Sequence, residues 1–179
     1  MNNLIKVSKR NDIFEEYAAT PIGLLLEYHN LKKPFLDHET PDILLAMCMD
    51  YRKNIRIPPN FAYIMRSGGA NIQNNEFNLA YAVSMGGVNA VALIAHDDCG
   101  MVNLSTKKDE FIKGMVQNAG WNEERAENYF NKNAPLFEIT NEVAFVVNEA
   151  NRLRIKYPKI TVAPLYYCIK DKLLYLIKD

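Results

Sequence analysis

Two short motifs in this chain carry side chains that bind metal ions, at a spacing suited to one shared site. Cys48, Asp50 and Arg52 form a Cys-x-Asp-x-Arg motif, and His96 and Cys99 form a His-x-x-Cys motif. Two cysteine thiolates and one imidazole are a recognised ligand set of catalytic zinc, which keeps a fourth position open. Cys48, His96 and Cys99 are therefore candidate metal ligands.

The separation of the motifs indicates which elements must bring them together. His96 and Cys99 are three positions apart, so a single turn can present both to one ion. Cys48 is separated from His96 by 47 residues, which leaves room for a strand and a helix. Taken separately, the two cysteines could instead be small buried hydrophobic residues, and Asp50 with Arg52 could be a structural salt bridge.

Each motif directly follows a short apolar run of the kind that forms a buried strand. Residues 43–47 precede Cys48, residues 90–95 precede His96, and a third run lies at 61–65. Runs of this length and composition are typical of parallel strands that are buried on both faces. In open parallel sheets, ligands bind at the carboxyl ends of the strands. Both motifs are therefore predicted to lie at the same edge of one sheet.

The remaining segments predict helices between the strands and a hairpin near the end of the chain. Strands that alternate with helices indicate a mostly parallel sheet covered on both faces. The prediction is a single α/β domain over 1–179, with an N-terminal helical arm over 1–35 and a C-terminal antiparallel edge strand. Its other elements are a helix from Thr20, a helix over 74–85, helical pieces over 107–130, a helix over 139–157, and hairpin strands at 160–169 and 173–177.

The composition is typical of a soluble globular protein and argues against several classes of partner. The chain has 21 basic and 21 acidic residues, and this balance gives no support to a nucleic-acid or membrane-surface role. It contains no apolar stretch of about 18 residues, and its first residues are too polar for a signal peptide. Three cysteines do not suggest a disulfide framework. We expect a cytoplasmic protein with reduced thiols.

With these motifs the sequence resembles the β-class carbonic anhydrases, particularly their short prokaryotic and archaeal members. The family signatures are Cys-x-Asp-x-Arg and His-x-x-Cys-Gly, with an Arg-Asn-Ala-Gly-like turn between them. This chain has CMDYR at 48–52, RSGG at 66–69 and HDDCG at 96–100. The resemblance is clearest over 39–101.

The resemblance implies a function and a role for each motif residue. Cys48, His96 and Cys99 would bind Zn2+, and Asp50 and Arg52 would form the catalytic ion pair beside it. Asp50 could also become the fourth zinc ligand in a closed state. The implied activity is the reversible hydration of carbon dioxide to bicarbonate by zinc-bound hydroxide.

The resemblance also implies a homodimer or a higher homo-oligomer, with pockets completed by the partner chain. The apolar segments 21–28 and 173–177 are candidates for the surface buried between subunits.

Three departures from the family pattern leave other functions open. Tyr51 stands where serine is usual and is large enough to reshape the pocket wall, and residues 67–69 are Ser-Gly-Gly where Asn-Ala-Gly is usual. Glu39 stands where many members carry a glutamine that donates to bicarbonate. The alternatives are a zinc hydrolase of a similar molecule, such as carbon disulfide or carbonyl sulfide, and a non-catalytic zinc-binding relative.

Overall fold

A six-stranded β-sheet is the centre of the computed structural model, which describes residues 3–178. Four neighbouring strands run parallel, and β6 runs antiparallel to both of its neighbours. The predicted α/β class with a mostly parallel sheet is therefore confirmed; residues 1, 2 and 179 of the predicted domain lie outside the described range. Across the sheet, the strands are β1 (Leu4–Lys6), β6 (Leu173–Ile177), β5 (Thr161–Cys168), β4 (Ala90–His96), β2 (Ile43–Met47) and β3 (Ala62–Arg66).

Helices cover both faces of this sheet, as the alternating pattern predicts. On one face, Leu25 and Leu26 of α2 belong to the same buried cluster as Leu45 and Ile94 of the sheet. The cluster on the other face contains residues of α3 and α6. All residues of β2 and β4 are buried, which explains their unbroken apolar sequence. The helices are α1 (Glu15–Ala18), α2 (Pro21–His29), α3 (Glu76–Ser84), α4 (Lys108–Ala119), α5 (Glu123–Asn133) and α6 (Glu142–Lys156).

Local capping interactions account for where the main helices begin and end. The Thr20 hydroxyl accepts a hydrogen bond from the Ile22 N–H at 3.2 Å and caps α2. The Asn141 side chain caps α6 in the same way, with the Ala144 N–H as donor. After α3, Gly87 adopts a φ of +71°, which favours glycine and lets the chain turn into β4.

The N-terminal segment differs from the predicted helical arm over 1–35. Its first element is the short strand β1, and α1 is a single turn. Because β1 pairs with β6 on the side away from β5, β6 runs antiparallel as predicted but does not form the edge of the sheet. A segment of three residues is too short to show the alternation of side chains by which a strand is recognised in a sequence. This strand is identified by its pairing with β6.

The two segments predicted to form the subunit interface instead lie in the interior of the chain. Ile22, Leu25 and Leu26 are fully buried, and so are Leu174 and Leu176. The apolar residues of 21–28 and 173–177 therefore complete the core of their own subunit.

An apolar surface remains at the opposite edge of the sheet. The strand β3, predicted to be buried, is an edge strand on which Tyr63 and Ile64 are exposed. Phe77, Tyr81 and Met85 are exposed at four-residue spacing along and just after α3. Tyr63 packs against Gly86 at the end of α3, so the two groups are continuous. We call these five residues the β3–α3 patch.

No helix within residues 3–178 is long and apolar enough to cross a bilayer.

Candidate metal centre

The candidate metal centre lies where β2 and β4 end side by side. The two strands are parallel neighbours, and Met47, the last residue of β2, lies opposite Ile94. Cys48 follows directly, and His96 is the last residue of β4. The turn after β4 passes through Asp98, which has a φ of +54°, and leads to Cys99. The structure thus brings the two motifs together at the carboxyl edge of the sheet.

The three candidate ligands form a buried cluster with dimensions that suit a metal ion. One ligand atom from each of Cys48, His96 and Cys99 lies within 4.8 Å of the other two, and all three residues are at least 95% buried. The two sulfurs are 3.9 Å apart. A tetrahedral zinc ion with Zn–S bonds of the usual length would hold two sulfurs about 3.8 Å apart. The donor set and its spacing therefore fit zinc.

The imidazole of His96 is oriented by a backbone carbonyl. Its Nδ1 lies 2.8 Å from the carbonyl oxygen of Asp97, which can only accept, so Nδ1 carries the proton. Nε2 is buried and has no hydrogen-bond partner among the described residues. The lone pair on Nε2 is therefore available to an ion held by the two sulfurs.

The two thiols share their protons unequally. The pKa of Cys48 is lowered mainly because the Cys99 thiol donates to its sulfur, and the backbone of Asp50 and Gly69 adds to the lowering. The pKa of Cys99 is raised by the same contact and by burial. A metal ion that binds both sulfurs must displace their remaining protons.

Asp50 is held beside the cluster by a planar fork from Arg52. Arg52 Nε donates to both carboxylate oxygens at 3.0 and 3.1 Å, and Nη2 donates to Oδ2 at 2.6 Å. The Arg52 backbone N–H donates to Oδ1 at 2.8 Å. These bonds hold the pKa of Asp50 well below its usual range. The carboxylate is therefore ionised and turned toward Arg52.

Asp98 anchors Arg52 from the second motif, a role that the sequence pattern does not reveal. Arg52 Nη1 donates to the Asp98 carboxylate at 2.8 Å, and Nη2 donates to the Asp98 carbonyl at 2.9 Å. The Asp98 side chain is otherwise largely exposed. In the sequence, only the position of Asp98 directly before Cys99 indicates such a role. A solvated or capping aspartate is equally common at such a position.

The RSGG segment supports the loop that carries the first motif. Arg66 donates to the carbonyls of Cys48, Asp50 and Lys53 at 3.3–3.4 Å. Gly69 adopts a φ of +64°, and a Cβ on Gly68 would lie 2.9 Å from the sulfur of Met101. The positive φ favours glycine at position 69, and at position 68 a side chain would have to displace that of Met101.

The two departures expected to alter the pocket lie away from the cluster within this chain. Tyr51 is 92% exposed and does not form a wall of the metal site. Glu39 is exposed next to His38, which contacts Asp42 at the start of β2. From Asp42 to Cys48 an extended chain spans about 20 Å. Glu39 therefore cannot reach the metal centre of its own subunit.

An apolar cleft of about 360 Å³ lies near the cluster, from which Met101 separates it. It lies between the loop at Met49, the Gly68 turn and the α4–α5 hairpin, and its aromatic lining includes Phe111, Phe130 and Phe137. Met101, which also lines it, packs against the hydrophobic group formed by Cys48, Cys99 and Ile139. The cleft thus offers an apolar surface beside the metal centre.

Lys53 is a further residue at the centre that the motif analysis did not single out. It directly follows Arg52 and is 3% exposed, and its amine has no hydrogen-bond partner among the described residues. A lysine after a charged motif in a loop usually lies in solvent, so the sequence held no signal of its burial.

The sheet order and the position of the cluster define the β-carbonic anhydrase fold, and solved structures of that class match the chain. The β-carbonic anhydrase isoform I of Trichomonas vaginalis aligns at TM-score 0.64 and 16% identity, over 83% of this chain and 90% of that one. A carbonic anhydrase from Glaciozyma antarctica aligns at 0.61 and 18%, over 76% and 83%. A carbon disulfide hydrolase in its apo form aligns at 0.54 and 19%, over 75% and 79%.

At these identities the likeness is one of fold, and it confirms the fold that the sequence resemblance implied. No family model and no curated protein matches the chain.

Substitution of one cluster cysteine should abolish metal binding. We expect the wild-type protein to retain about one divalent ion per chain after dialysis, and Cys99→Ala to retain little, because two remaining ligands bind weakly. Cys168→Ala is the matched control, since Cys168 lies outside the cluster. Elemental analysis of the folded proteins measures both. Equal metal content in wild type and Cys99→Ala would contradict this assignment.

Proposed function

We propose that this protein is a zinc enzyme that interconverts carbon dioxide and bicarbonate. The observation that carries the proposal is the position of the buried Cys48, His96 and Cys99 cluster beside an ionised Asp50 that Arg52 holds. The arrangement lies on a β-carbonic anhydrase fold, and proteins of that name are among the structures most similar to it.

Zinc is the ion that this donor set favours. Two soft thiolates with one imidazole suit zinc, whereas harder ions prefer carboxylates and carbonyls. When bound, zinc supplies a Lewis acid and a water of lowered pKa, less lowered beside two thiolates than beside three imidazoles. Because the thiols must be reduced to bind the ion, we also infer a reducing compartment such as the cytoplasm.

The residues of this chain divide the remaining tasks. Asp50 accepts a hydrogen bond from the reacting water and orients it. Arg52 positions Asp50, and Asp98 positions Arg52, through the contacts described above. In this arrangement the carboxylate is paired with Arg52, so Cys48, His96 and Cys99 would be the residues that hold the ion. Asp50 would become a further ligand, as in the closed state, only if its bonds to Arg52 broke.

The apolar cleft favours a second candidate, a hydrolase of carbon disulfide or carbonyl sulfide on the same scaffold. Its lining around Met101 and Phe130 is almost free of polar groups and suits a small apolar molecule. A carbon disulfide hydrolase is among the similar structures. Release of sulfide from carbon disulfide by the zinc protein, without hydration of carbon dioxide, would favour this candidate over the first.

We further propose that the protein is a homodimer that buries the β3–α3 patch. The patch combines the open edge of β3 with the exposed Phe77 and Tyr81 of α3, and contiguous apolar surface of this kind marks interfaces.

Replacement of the guanidinium fork should reduce activity without loss of zinc. We expect Arg52→Lys to hydrate carbon dioxide at least about tenfold more slowly, because an ammonium cannot contact Asp50 and Asp98 in the same planar geometry. Arg10→Lys, at an exposed arginine elsewhere, is the matched control. Stopped-flow rates and zinc content measure the outcome. An Arg52→Lys enzyme of full activity would remove this pair from the mechanism.

The hydration rate should be low near pH 7 and rise above about pH 8, because two thiolates leave the activated water only weakly acidic. The depressed pKa of Asp50 keeps that carboxylate ionised over pH 6.5 to 9, and its charge would be lost only in strong acid. Its titration therefore adds nothing to the profile in this range. Stopped-flow rates across it provide the test, and a flat profile with full activity at pH 6.5 would refute the expectation.

A charge placed in the β3–α3 patch should separate the subunits. We expect Tyr81→Glu to be monomeric at micromolar concentration, because a carboxylate would have to be buried without a partner. Val116→Glu, at an exposed apolar residue of α4 outside the patch, should remain dimeric. Light scattering coupled to size exclusion measures the mass. A wild-type mass of 20.5 kDa would refute the dimer.

A further inference from the structure

Lys53 is buried although a residue two positions away in the sequence is exposed to solvent. Its neighbour Tyr51 is 92% exposed, whereas Lys53 is 3% exposed. A lysine side chain has four methylene groups and ordinarily uses them to carry its ammonium to water. Here the side chain is folded inward, so its position requires a partner inside the protein.

Lys53 lies at the metal centre, because Arg66 binds its carbonyl together with the carbonyls of Cys48 and Asp50. Burial is the largest influence and lowers the pKa of Lys53, while Cys48, Asp50 and Cys99 oppose that effect through their negative charges. Arg66 adds to the lowering. The ammonium therefore lies within electrostatic reach of both sulfurs and of the carboxylate.

No protein group near the centre accepts the hydrogen bonds of this ammonium. Lys53 Nζ has no hydrogen-bond partner among the described residues, Asp50 included. An ammonium has three N–H donors, and a buried donor without an acceptor is costly. An acceptor that the polypeptide does not supply would relieve this cost.

The formal charges at the centre indicate the kind of acceptor. Of the groups that act on Lys53, the two thiolates would be neutralised by a divalent ion, Asp50 is paired with Arg52, and Arg66 is a further cation. The ammonium of Lys53 would then have no unpaired negative charge beside it, in a buried site where electrostatic interactions are strong. One small monovalent anion would balance it.

We propose that Lys53 is an anion-binding residue of the metal centre, where its ammonium donates to a small monovalent oxyanion of the bicarbonate type. This inference rests on the proposed function, because it places the ion at the cluster. It adds a binding residue outside the two motifs and explains why Lys53 is buried.

The test measures anion binding rather than turnover. Cobalt(II) replaces zinc as a coloured probe, and bicarbonate is titrated while the visible absorption of the cobalt is followed. Lys53→Met keeps the length of the side chain without donors, and we expect it to bind bicarbonate about ten- to a hundredfold more weakly. Lys113→Met, at an exposed lysine of α4, should bind it as the wild type does.

A second variant distinguishes a loss of anion binding from an effect of the substitution on folding. Lys53→Gln retains an N–H donor without the charge and should have an affinity between those of wild type and Lys53→Met. Weaker binding in both variants with unchanged cobalt content supports the proposal. Unchanged bicarbonate affinity would overturn it, and so would loss of cobalt from both variants, since Lys53 would then act by holding the cluster together.

These results are separable from the proposed function. Bicarbonate binding that depends on Lys53, in a protein that does not hydrate carbon dioxide, would support the anion site and refute the enzyme. Normal hydration together with unchanged bicarbonate affinity in Lys53→Met would do the reverse.

Discussion

The parallel register of β2 against β4 is the constraint on which the candidate centre depends. Met47 lies opposite Ile94, so Cys48 leaves the sheet beside the end of the strand that carries His96. A shift of one residue would move the side chains of β2 to the opposite faces of the sheet. The burial of both strands on both faces prevents such a shift, because each face packs against its own layer of helices. The apolar core therefore sets the geometry of the polar site.

The polar site is held together by a chain of charges across two loops. Asp98 in the second motif contacts Arg52, and Arg52 contacts Asp50 in the first. Arg66, at the end of β3, binds the backbone of the same loop. Since the loops have little regular structure, these bidentate contacts position them more firmly than single ion pairs would. The ends of the strands position the candidate metal ligands, and this network positions the residues around them.

The parts of the structure that could be predicted are those with a strong local signal. The apolar runs at 43–47 and 90–95 are long enough to identify buried strands, and the motifs directly after them locate the edge where ligands bind. The helix from Thr20 was predictable because its cap and its proline act locally. The run at 61–65 predicts a strand, which the structure confirms at Ala62–Arg66, but the exposure of that strand follows from its position at the edge of the sheet.

The remaining features depend on contacts between distant parts of the chain. Strand β1 exists through its pairing with β6, some 170 positions away, and no local pattern encodes that pairing. The burial of Lys53 could not be predicted for the same reason. It follows from how the loop folds over the cluster and not from the neighbours of Lys53 in sequence.

The surroundings of the cluster have two different chemical characters, and their difference bears on the substrate. Toward Met101 the lining is apolar and suits an uncharged molecule such as carbon dioxide. Toward Lys53 it contains a buried amine without a partner among the described residues, and this amine suits an anion. The proposed hydration of carbon dioxide would convert the first kind of molecule into the second, so both surroundings are consistent with that proposal. A purely structural metal site would need neither the cleft nor the buried lysine, and the two together support the proposal of a catalytic centre.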